Sequence, residues 1–483
     1  MKDILKSSTY VGLTEALLII VTIIKNKFIA IHIGPEGFGA VNLLASFFSI
    51  ATVFSTTWLT TGLVKYISEY NSDDNKKYLA EIYNFALVFT FAISFIIVVL
   101  IFIFSDYVRN NFLSPEILYN YFFLYNISFI ATSLNSTFSS ALQGFIIIKK
   151  AVYLRVVNAI ISLVLVIALI LLYDTLGYFI SILISAFVSV ILYKLELDKL
   201  IKMRVSVPNL KSPANKKLFK YGGVSIFTGF LNFICQYAQR LIIISYANLS
   251  TLGLYSAVNS LVTYIGLANK GATYYYLPKM SQTLPLAERN ALLNDFIKFS
   301  LYSTFPFVII SILFGQEFLL VLYSKKFVSV SGVFGYFVFA QYLIVLLTCF
   351  QSILIGQAYL KPLIFTSLVT QLLWILLPYL LYKRIGLTSL AIGFILSSTF
   401  EIVFSAIYLK IKIGLITSRK NIVIFISSVI ISLATIKMIY LSFGIKMMIL
   451  IIISLFAFYS LPREDRIKIK GIVLRNKYNF SKV

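Results

Sequence analysis

The chain is short of the residues from which many enzymes and metalloproteins build their sites. Among 483 residues it has one histidine, His32, and two cysteines, Cys235 and Cys349, which both lie in apolar segments. These numbers exclude a disulfide framework and a Cys/His metal site, and no cofactor is expected. Acidic residues are also scarce, with 18 Asp and Glu against 42 Lys and Arg, so the formal net charge is +24.

Long polar stretches are rare in this chain, and most of the sequence consists of apolar runs. Hydrophobic residues make up 59% of the chain and charged residues only 12%. Repeated apolar runs of about 20 residues predict membrane-spanning helices. The first run has no cleavage-site pattern after it and is predicted to be a span rather than a signal peptide. Because the basic residues are spread over many short loops, a nucleic-acid partner is not expected.

Loops divide the sequence into fourteen apolar runs. This pattern predicts an all-α integral membrane protein with fourteen transmembrane helices. The predicted limits are 9–33, 38–63, 81–104, 117–142, 152–173, 176–194, 221–247, 253–277, 296–320, 331–358, 362–382, 387–409, 421–442 and 444–461. The loops on the exterior side are all short, so no extracytoplasmic domain is expected.

The distribution of basic residues predicts the topology. With the N-terminus inside, 31 of the 42 Lys and Arg residues fall in cytoplasmic segments and only 6 in exterior loops. Short loops rich in Lys and Arg stay on the cytoplasmic side of a membrane. We therefore predict a multi-pass membrane protein with both termini in the cytoplasm.

An internal repeat predicts two pseudosymmetric six-helix lobes followed by two extra helices. Ala40-Val41-Asn42 opens span 2, and Ala257-Val258-Asn259 opens span 8 at an offset of 217 residues. Such ordered matches are typical of transporters built from duplicated halves. The predicted parts are an N-terminal lobe at 1–200, a cytoplasmic connector at 201–220, a C-terminal lobe at 221–412, two further transmembrane helices at 413–461 and a basic cytoplasmic tail at 462–483.

Three basic residues lie deep inside predicted spans: Lys25, Arg240 and Lys270. A charge in lipid costs from ~3 to over 10 kcal/mol, so it is kept where it faces the bundle interior, a partner or water. A positively charged cavity suits an anionic cargo, such as one bearing phosphate, pyrophosphate or acidic sugar. The alternative for Lys25 and Arg240 is that they snorkel toward the membrane surface.

Polar residues at helical spacing accompany these charges. Asn232, Gln236 and Gln239 share a face of span 7 with Arg240, and Asn259 and Tyr274 share a face of span 8 with Lys270. The predicted substrate-binding set is Lys25, Arg240, Lys270, Asn232, Gln236, Gln239, Asn259 and Tyr274. Hydrogen bonding between helices is the structural alternative for the uncharged members.

Two acidic residues, Glu15 and Glu401, lie well inside spans. A low dielectric favours the neutral carboxyl form, which lets such a group take up and release a proton near physiological pH. We predict that they take part in ion coupling. A structural salt bridge to Lys25 or Arg240 is the alternative.

Three segments carry a family resemblance. They are Gly34 to Gly39 (GPEGFG) between spans 1 and 2, Gly253 to Ala257 (GLYSA) in a turn between spans 7 and 8, and Tyr275 to Ser281 (YYLPKMS) at the end of span 8. Over roughly residues 1–412 the sequence resembles the Wzx-type O-antigen flippases of the multidrug/oligosaccharidyl-lipid/polysaccharide exporter superfamily. The third segment is most similar to the enterobacterial common antigen branch.

The resemblance implies a transporter rather than an enzyme, with two six-helix bundles around a cationic cavity. The implied cargo is an undecaprenyl-pyrophosphate-linked oligosaccharide, moved to the periplasmic leaflet by ion-coupled alternating access. A polysaccharide polymerase and a chain-length regulator are candidate partners. The alternatives are a drug or small-molecule exporter of the same superfamily and, from a different class, a membrane-embedded polymerase or ligase. Such an enzyme would be expected to have a substantial periplasmic loop with charged catalytic residues, whereas the exterior loops here are short and carry six basic residues in total.

Overall fold

The computed structural model describes residues 2–72, 76–114, 116–145, 148–200, 212–282, 285–357 and 359–460. Within these ranges the chain forms fifteen α-helices and no strand. They are α1 (Lys2–Thr52), α2 (Trp58–Ser72), α3 (Lys76–Ile103), α4 (Ser105–Phe112), α5 (Tyr119–Gly144), α6 (Ile148–Asp198), α7 (Pro213–Tyr246), α8 (Leu249–Met280), α9 (Leu286–Leu313), α10 (Gly315–Leu322), α11 (Ser331–Gly356), α12 (Leu360–Ile385), α13 (Thr388–Ile413), α14 (Arg419–Ile436) and α15 (Phe443–Ser460). A π-helical segment, Val53–Thr57, joins α1 to α2, and a 3-10 helix, Lys325–Val330, precedes α11. The predicted all-α membrane fold is confirmed.

Helices α1 and α6 each contain a kink that lies between two predicted spans. In α1 the kink lies at Gly34, whose φ of 68° suits a residue without Cβ, and Pro35 opens the next segment. In α6 it lies at Tyr173 and Asp174, and Asp174 has a φ of 49°. A positive φ is uncommon for a residue that has a Cβ, and it interrupts the helix at this point. The two kinks explain why span 1 and the first part of span 2 share helix α1, and why spans 5 and 6 share helix α6.

Apolar surface covers the outside of many helices. Eight stretches of the described chain are long and apolar enough to cross a membrane, and two of them run through a kink. Large side chains such as Leu172 and Ile411 are 71% and 80% exposed. Because a lipid environment accepts such faces, these features identify a multi-pass membrane protein.

The structure changes several predicted boundaries. Span 2, predicted to end at residue 63, continues through the π-helical segment to Ser72. There the hydroxyls of Thr56 and Thr57 donate to the carbonyl oxygen of Thr52, at 3.1 and 3.2 Å. Span 9 is earlier than predicted, since α9 ends at Leu313 and a separate short helix, α10, follows. Gly253 lies inside α8 rather than in a turn, because α8 begins at Leu249.

The chain divides into two compact units. Unit 1 comprises Met1–Asn259, Leu320–Val328 and Gln371–Gly393, and unit 2 comprises Ser260–Leu319, Ser329–Thr370 and Phe394–Val483. The division falls inside α8, α10, α12, α13 and the 3-10 helix before α11. The lobe boundaries drawn from the repeat stay a prediction. Residues 201–211 of the connector and the tail at 462–483 lie outside the described residues.

Unit 1 has an aromatic and aliphatic core where α2, α3, α5 and α6 pack together. Its members include Trp58, Leu63, Phe85, Phe138, Leu142 and Leu154. A second contact joins α1 to the start of α8. A Cβ added at Gly39 would lie 2.0 Å from the carbonyl oxygen of Leu249, and one added at Gly253 would lie 1.8 Å from that of Pro35. The two glycine-containing segments that carry the family resemblance therefore pack backbone against backbone.

Unit 2 ties α14 and α15 to the preceding helices. Asn294 of α9 accepts a hydrogen bond from the backbone N–H of Ser418 at 2.7 Å, and the Asn421 amide donates to its carbonyl oxygen at 2.9 Å. The Nζ of Lys446, which is 1% exposed, lies 2.6 Å from Glu317 Oε1. Specific polar contacts therefore join α14 and α15, the two helices predicted to lie outside the repeat, to the earlier helices of unit 2.

Candidate functional site

The polar face of α7 begins with two amides that point away from the packed interior. Asn232 is exposed and Gln236 is half-buried. One helical turn apart, they bond to each other, with Gln236 Nε2 donating to Asn232 Oδ1 at 3.1 Å. Both amides retain further donors and acceptors, so they can bind a hydroxylated ligand.

Gln239 is placed differently from its two neighbours on this face. It is 2% exposed, its Nε2 donates to the carbonyl oxygen of Trp374 at 3.2 Å, and its Oε1 accepts from the Tyr255 hydroxyl at 3.3 Å. These bonds join α7 to α12 and α8 within unit 1. Gln239 thereby fixes the helix that carries Arg240.

Arg240 has an unsatisfied donor. Its side chain is half-buried, Tyr255 is its electrostatic neighbour, and its Nε is buried without a hydrogen-bond partner among the described residues. Buried donors without a partner are rare because they cost about 1–3 kcal/mol or more when charged. An anionic ligand could accept a hydrogen bond from this Nε–H group and so satisfy it.

Lys25 provides a second positive charge in unit 1. It lies on α1, is half-buried, and has no hydrogen bond or ion pair with the residues that the structure describes. Asn259, at the last position of unit 1, is half-buried and already interacts with another residue. The side chains of Glu15, Lys270 and Tyr274 lie outside the described residues, so their predicted roles stay predictions.

Glu401 lies on α13 in unit 2 and is 4% exposed. Its Oε1 accepts hydrogen bonds from Gln351 Nε2 at 2.7 Å and from the Thr366 hydroxyl at 3.2 Å. Within the described part of unit 2 its partners are neutral. Two neutral donors can hold an ionised carboxylate while leaving its other oxygen for a proton or a cation.

Sequence reasoning missed a buried polar cluster around Asn269. Its Nδ2 donates to Thr348 Oγ1 at 3.1 Å, and its Oδ1 accepts from Ser300 at 3.0 Å. Ser300 in turn accepts from the thiol of Cys349 at 3.3 Å. An asparagine in an apolar helix, directly before Lys270, is the sequence signal that could have revealed the cluster. Both functions of the Asn269 amide are used, so the cluster joins α8, α9 and α11.

Comparison with known proteins identifies a family that matches more than half of the chain. A family model described as polysaccharide biosynthesis protein matches residues 4–283. A search of curated proteins gave no match.

Several solved structures share the fold. The lipid II flippase MurJ in an inward closed conformation has a TM-score of 0.74 and 14% identity, covering 93% of this chain and 98% of MurJ. An inward-facing multidrug resistance MATE family transporter of the MOP superfamily has a TM-score of 0.67 and 15% identity, covering 82% and 95%. A MOP superfamily transporter from Pyrococcus furiosus, described by the reverse polarity of its binding pocket, has a TM-score of 0.55 and 15% identity, covering 84% and 96%.

Proposed function

This chain belongs to the polysaccharide biosynthesis protein family, and from that premise we propose that it is a flippase for an undecaprenyl-pyrophosphate-linked oligosaccharide. The cargo is an O-antigen or a related surface polysaccharide unit, moved from the cytoplasmic to the periplasmic leaflet of the bacterial inner membrane. Both termini face the cytoplasm. A polysaccharide polymerase and a chain-length regulator act on the product.

The observation that carries this proposal is the buried Nε of Arg240, which has no hydrogen-bond partner in the part of the chain that the structure describes. A pyrophosphate and its glycan do not cross ~30 Å of hydrocarbon unaided, since their charges and hydroxyls would lose their hydration. Arginine forms strong charge-assisted hydrogen bonds with phosphate. Arg240 and Lys25 of unit 1 bind the pyrophosphate, while the polyprenyl chain stays in lipid. A role for Lys270 in binding the pyrophosphate stays a prediction.

The amides and the phenol of the predicted set have a second role. Asn232 and Gln236 bind sugar hydroxyls, as do Asn259 and Tyr274, because amide and hydroxyl groups both donate and accept hydrogen bonds. Gln239 belongs to the same face. Its hydrogen bonds to Trp374 and Tyr255 hold α7 against α12 and α8 at the position next to Arg240.

Coupling to an ion gradient is the second part of the proposal. Glu401 and Glu15 are the acidic candidates, and Glu401 has the geometry to bind a proton or sodium ion beside Gln351 and Thr366. Binding and release at a fixed carboxylate would drive alternating access.

A small-molecule exporter is the second candidate, because a multidrug MATE transporter shares the fold at a TM-score of 0.67. The excess of basic over acidic residues inside the spans favours an anionic cargo over a cationic drug.

Transport by the purified protein in vesicles tests the proposal. The probe is a fluorescent undecaprenyl-pyrophosphate oligosaccharide, and a membrane-impermeant quencher reports which leaflet it occupies. We expect protein-dependent exchange of the probe between leaflets. Exchange no faster than in protein-free vesicles, together with gradient-driven export of a cationic dye, would favour the exporter.

A further inference from the structure

A π-helical segment, Val53–Thr57, interrupts the second predicted span within unit 1. In a π-helix each N–H group bonds to the carbonyl oxygen five residues earlier, whereas an α-helix uses the fourth, so one extra residue fits into the turn. Such turns are rare, and many of them lie at functional sites. Val53, Ser55 and Thr56 are buried, so this irregular turn lies in the interior of the bundle rather than at its surface.

The part of span 2 before this segment packs closely against the start of α8. We call residues 35–52 the outer arm, after their predicted position toward the exterior. A Cβ added at Gly39 would lie 2.0 Å from the carbonyl oxygen of Leu249, and one added at Gly253 would lie 1.8 Å from that of Pro35. Glycines let two helix backbones approach this closely, and backbones in such contact cannot slide past each other without separating. The outer arm and the start of α8 therefore move as one body.

The part of span 2 after the segment belongs to a different packing group. We call residues 58–72 the inner arm. Its buried side chains, which include Trp58, Leu63 and Ile67, lie in the aromatic and aliphatic core that α2 forms with α3, α5 and α6. A Cβ added at Gly144 of α5 would lie 2.7 Å from the Cβ of Ile67, so α5 also approaches the inner arm at a glycine. The inner arm is therefore fixed to this bundle of helices.

The segment between the two arms is held in place by hydroxyl groups. The hydroxyls of Ser55 and Ser133 lie 3.3 Å apart, which joins the segment to α5. The hydroxyls of Thr56 and Thr57 both donate to the carbonyl oxygen of Thr52, at 3.1 and 3.2 Å. Hydroxyls that bond to a backbone carbonyl in this way favour a bend in a helix, and they can rotate to follow their acceptor. The bend can therefore change while the Thr52 oxygen keeps a donor.

Helix α7 leaves room beside the segment. A Cβ added at Gly229 would lie 3.5 Å from Thr57 Cγ2 and 3.7 Å from both γ-carbons of Val53. These are ordinary van der Waals distances, so α7 could carry a methyl group here without a clash. The space of that methyl group is left between α7 and the segment, and a change of bend can use it.

We propose that the π-helical segment is a hinge, at which the outer arm and the start of α8 bend relative to the inner arm and its bundle. Helix α8 continues past Asn259 into unit 2, so a movement of that helix reaches the outer arm directly. Because each arm is fixed to a different neighbour, the segment between them must absorb the movement. The inference rests on the proposed transport function, since alternating access requires parts of the protein to rock, but it does not depend on the nature of the cargo.

Distances between pairs of nitroxide labels, measured by EPR, test the proposal. The labels are attached to cysteines introduced at exposed positions, whereas the native Cys235 and Cys349 are buried and stay unlabelled. The three pairs are Glu36→Cys with Asn120→Cys (outer arm and α5), Glu36→Cys with Ala247→Cys (outer arm and the turn before α8), and Asn71→Cys with Gln143→Cys (inner arm and α5).

The purified full chain is measured in nanodiscs with and without undecaprenyl pyrophosphate. We expect two distances for the pair that joins the outer arm to α5, and we expect the added pyrophosphate to change their proportions. The other two pairs should each give one distance under both conditions. A single unchanged distance for the first pair would overturn the proposal. An equal change in the pair that joins the inner arm to α5 would also overturn it, because span 2 would then move as one rigid helix.

Deletion of Thr57 removes the extra residue, so an α-helix can run through the segment with both arms in their present orientation. We expect thermal stability no lower than that of the unmodified protein, loss of the second distance, and flipping slower by about tenfold or more, because the conformational step limits transport. Deletion of Ala86 from the regular helix α3 is the control. It turns the rest of that helix by about 100° and should lower thermal stability.

A folded Thr57 deletion that flips at the unmodified rate would contradict the hinge. If this deletion prevents folding, the distances in the protein with an intact segment decide. EPR requires no transport, so its result is independent of the vesicle assay. Two distances in a protein that does not flip the oligosaccharide probe would contradict the proposed function alone, and flipping with a single distance would contradict the hinge alone.

Discussion

Arg240 is the residue whose surroundings most constrain a function. Its unsatisfied buried Nε predicts that Arg240→Gln abolishes flipping of the pyrophosphate-linked probe in vesicles while the protein remains in the membrane at normal levels. Arg240→Lys should keep partial activity, since it retains the charge but loses the planar fork. Arg384→Gln, at an exposed arginine near the end of α12, is the control and should flip normally. Full activity of Arg240→Gln would show that Arg240 is a surface anchor.

Glu401 leads to a prediction about coupling. Glu401→Gln mimics a permanently protonated carboxyl, and its amide oxygen can still accept from Gln351 and Thr366. We expect the variant to bind cargo but to lose acceleration of transport by an imposed proton or sodium gradient. Glu288→Gln, which removes an exposed acid at the start of α9, should respond like the unmodified protein. An undiminished gradient response in both Glu401→Gln and Glu15→Gln would contradict coupling through these carboxylates.

Sequence reasoning at the residue scale identified polar positions but not their partners. Spacing grouped Gln239 with Asn232 and Gln236, yet only the structure shows that its amide is bonded to α8 and α12. Arg155 was counted with the loop charges, although it lies two turns inside α6. Periodicity gives the face of a helix, whereas the partner depends on contacts distant in sequence.

At the scale of elements, the glycine contact between α1 and α8 predicts a stability effect. Gly39→Ala and Gly253→Ala would each place a Cβ within 2.0 Å of a backbone oxygen, so the helices must separate. We expect each to destabilise the protein by about 1–3 kcal/mol, a typical cost of overpacking. Lower thermal stability in detergent should report it. Gly444→Ala is the control, because no atom lies within 4 Å of its added Cβ; equal stability of all three would contradict the close contact.

Most helices were predictable because each needs about 20 apolar residues to cross a membrane. Gly34 and Pro35 also marked the first kink, since both residues interrupt helices. The π-helical segment after Thr52 was not predictable, because its extra residue is accommodated by threonine hydroxyls and by packing, neither of which changes hydropathy. The short helix α4 was missed because it is too short and too polar to produce a hydrophobic signal. Helix α10 is apolar, so its first residues were merged into predicted span 9.

For the whole molecule, charge asymmetry predicts which ends of the helices face the cytoplasm. A cysteine at Ser329 should react with an impermeant maleimide added outside intact cells, whereas a cysteine at Ala287 should react only after the membrane is opened. Both positions are exposed, so a difference in labelling reports sidedness rather than burial. Labelling of Ala287→Cys from outside would invert the topology.

For the whole chain, removal of the last two transmembrane helices, α14 and α15, distinguishes a role in stability from a role in transport. They lie outside the predicted repeat, yet Asn421, Ser428 and Lys446 form hydrogen bonds or an ion pair with earlier helices of unit 2. Truncation after Ser418 removes these contacts and exposes the surface of α9 that α14 covers, so we expect a lower yield and a lower thermal stability. If the duplicated core holds the transport path, the fraction that remains monodisperse in gel filtration should still flip the probe at a measurable rate per molecule. Lys446→Gln removes only the ion pair with Glu317, so it should reduce thermal stability with little change in the rate of flipping. A monodisperse truncation with no flipping would show instead that α14 and α15 take part in transport directly, for example by guiding the polyprenyl chain.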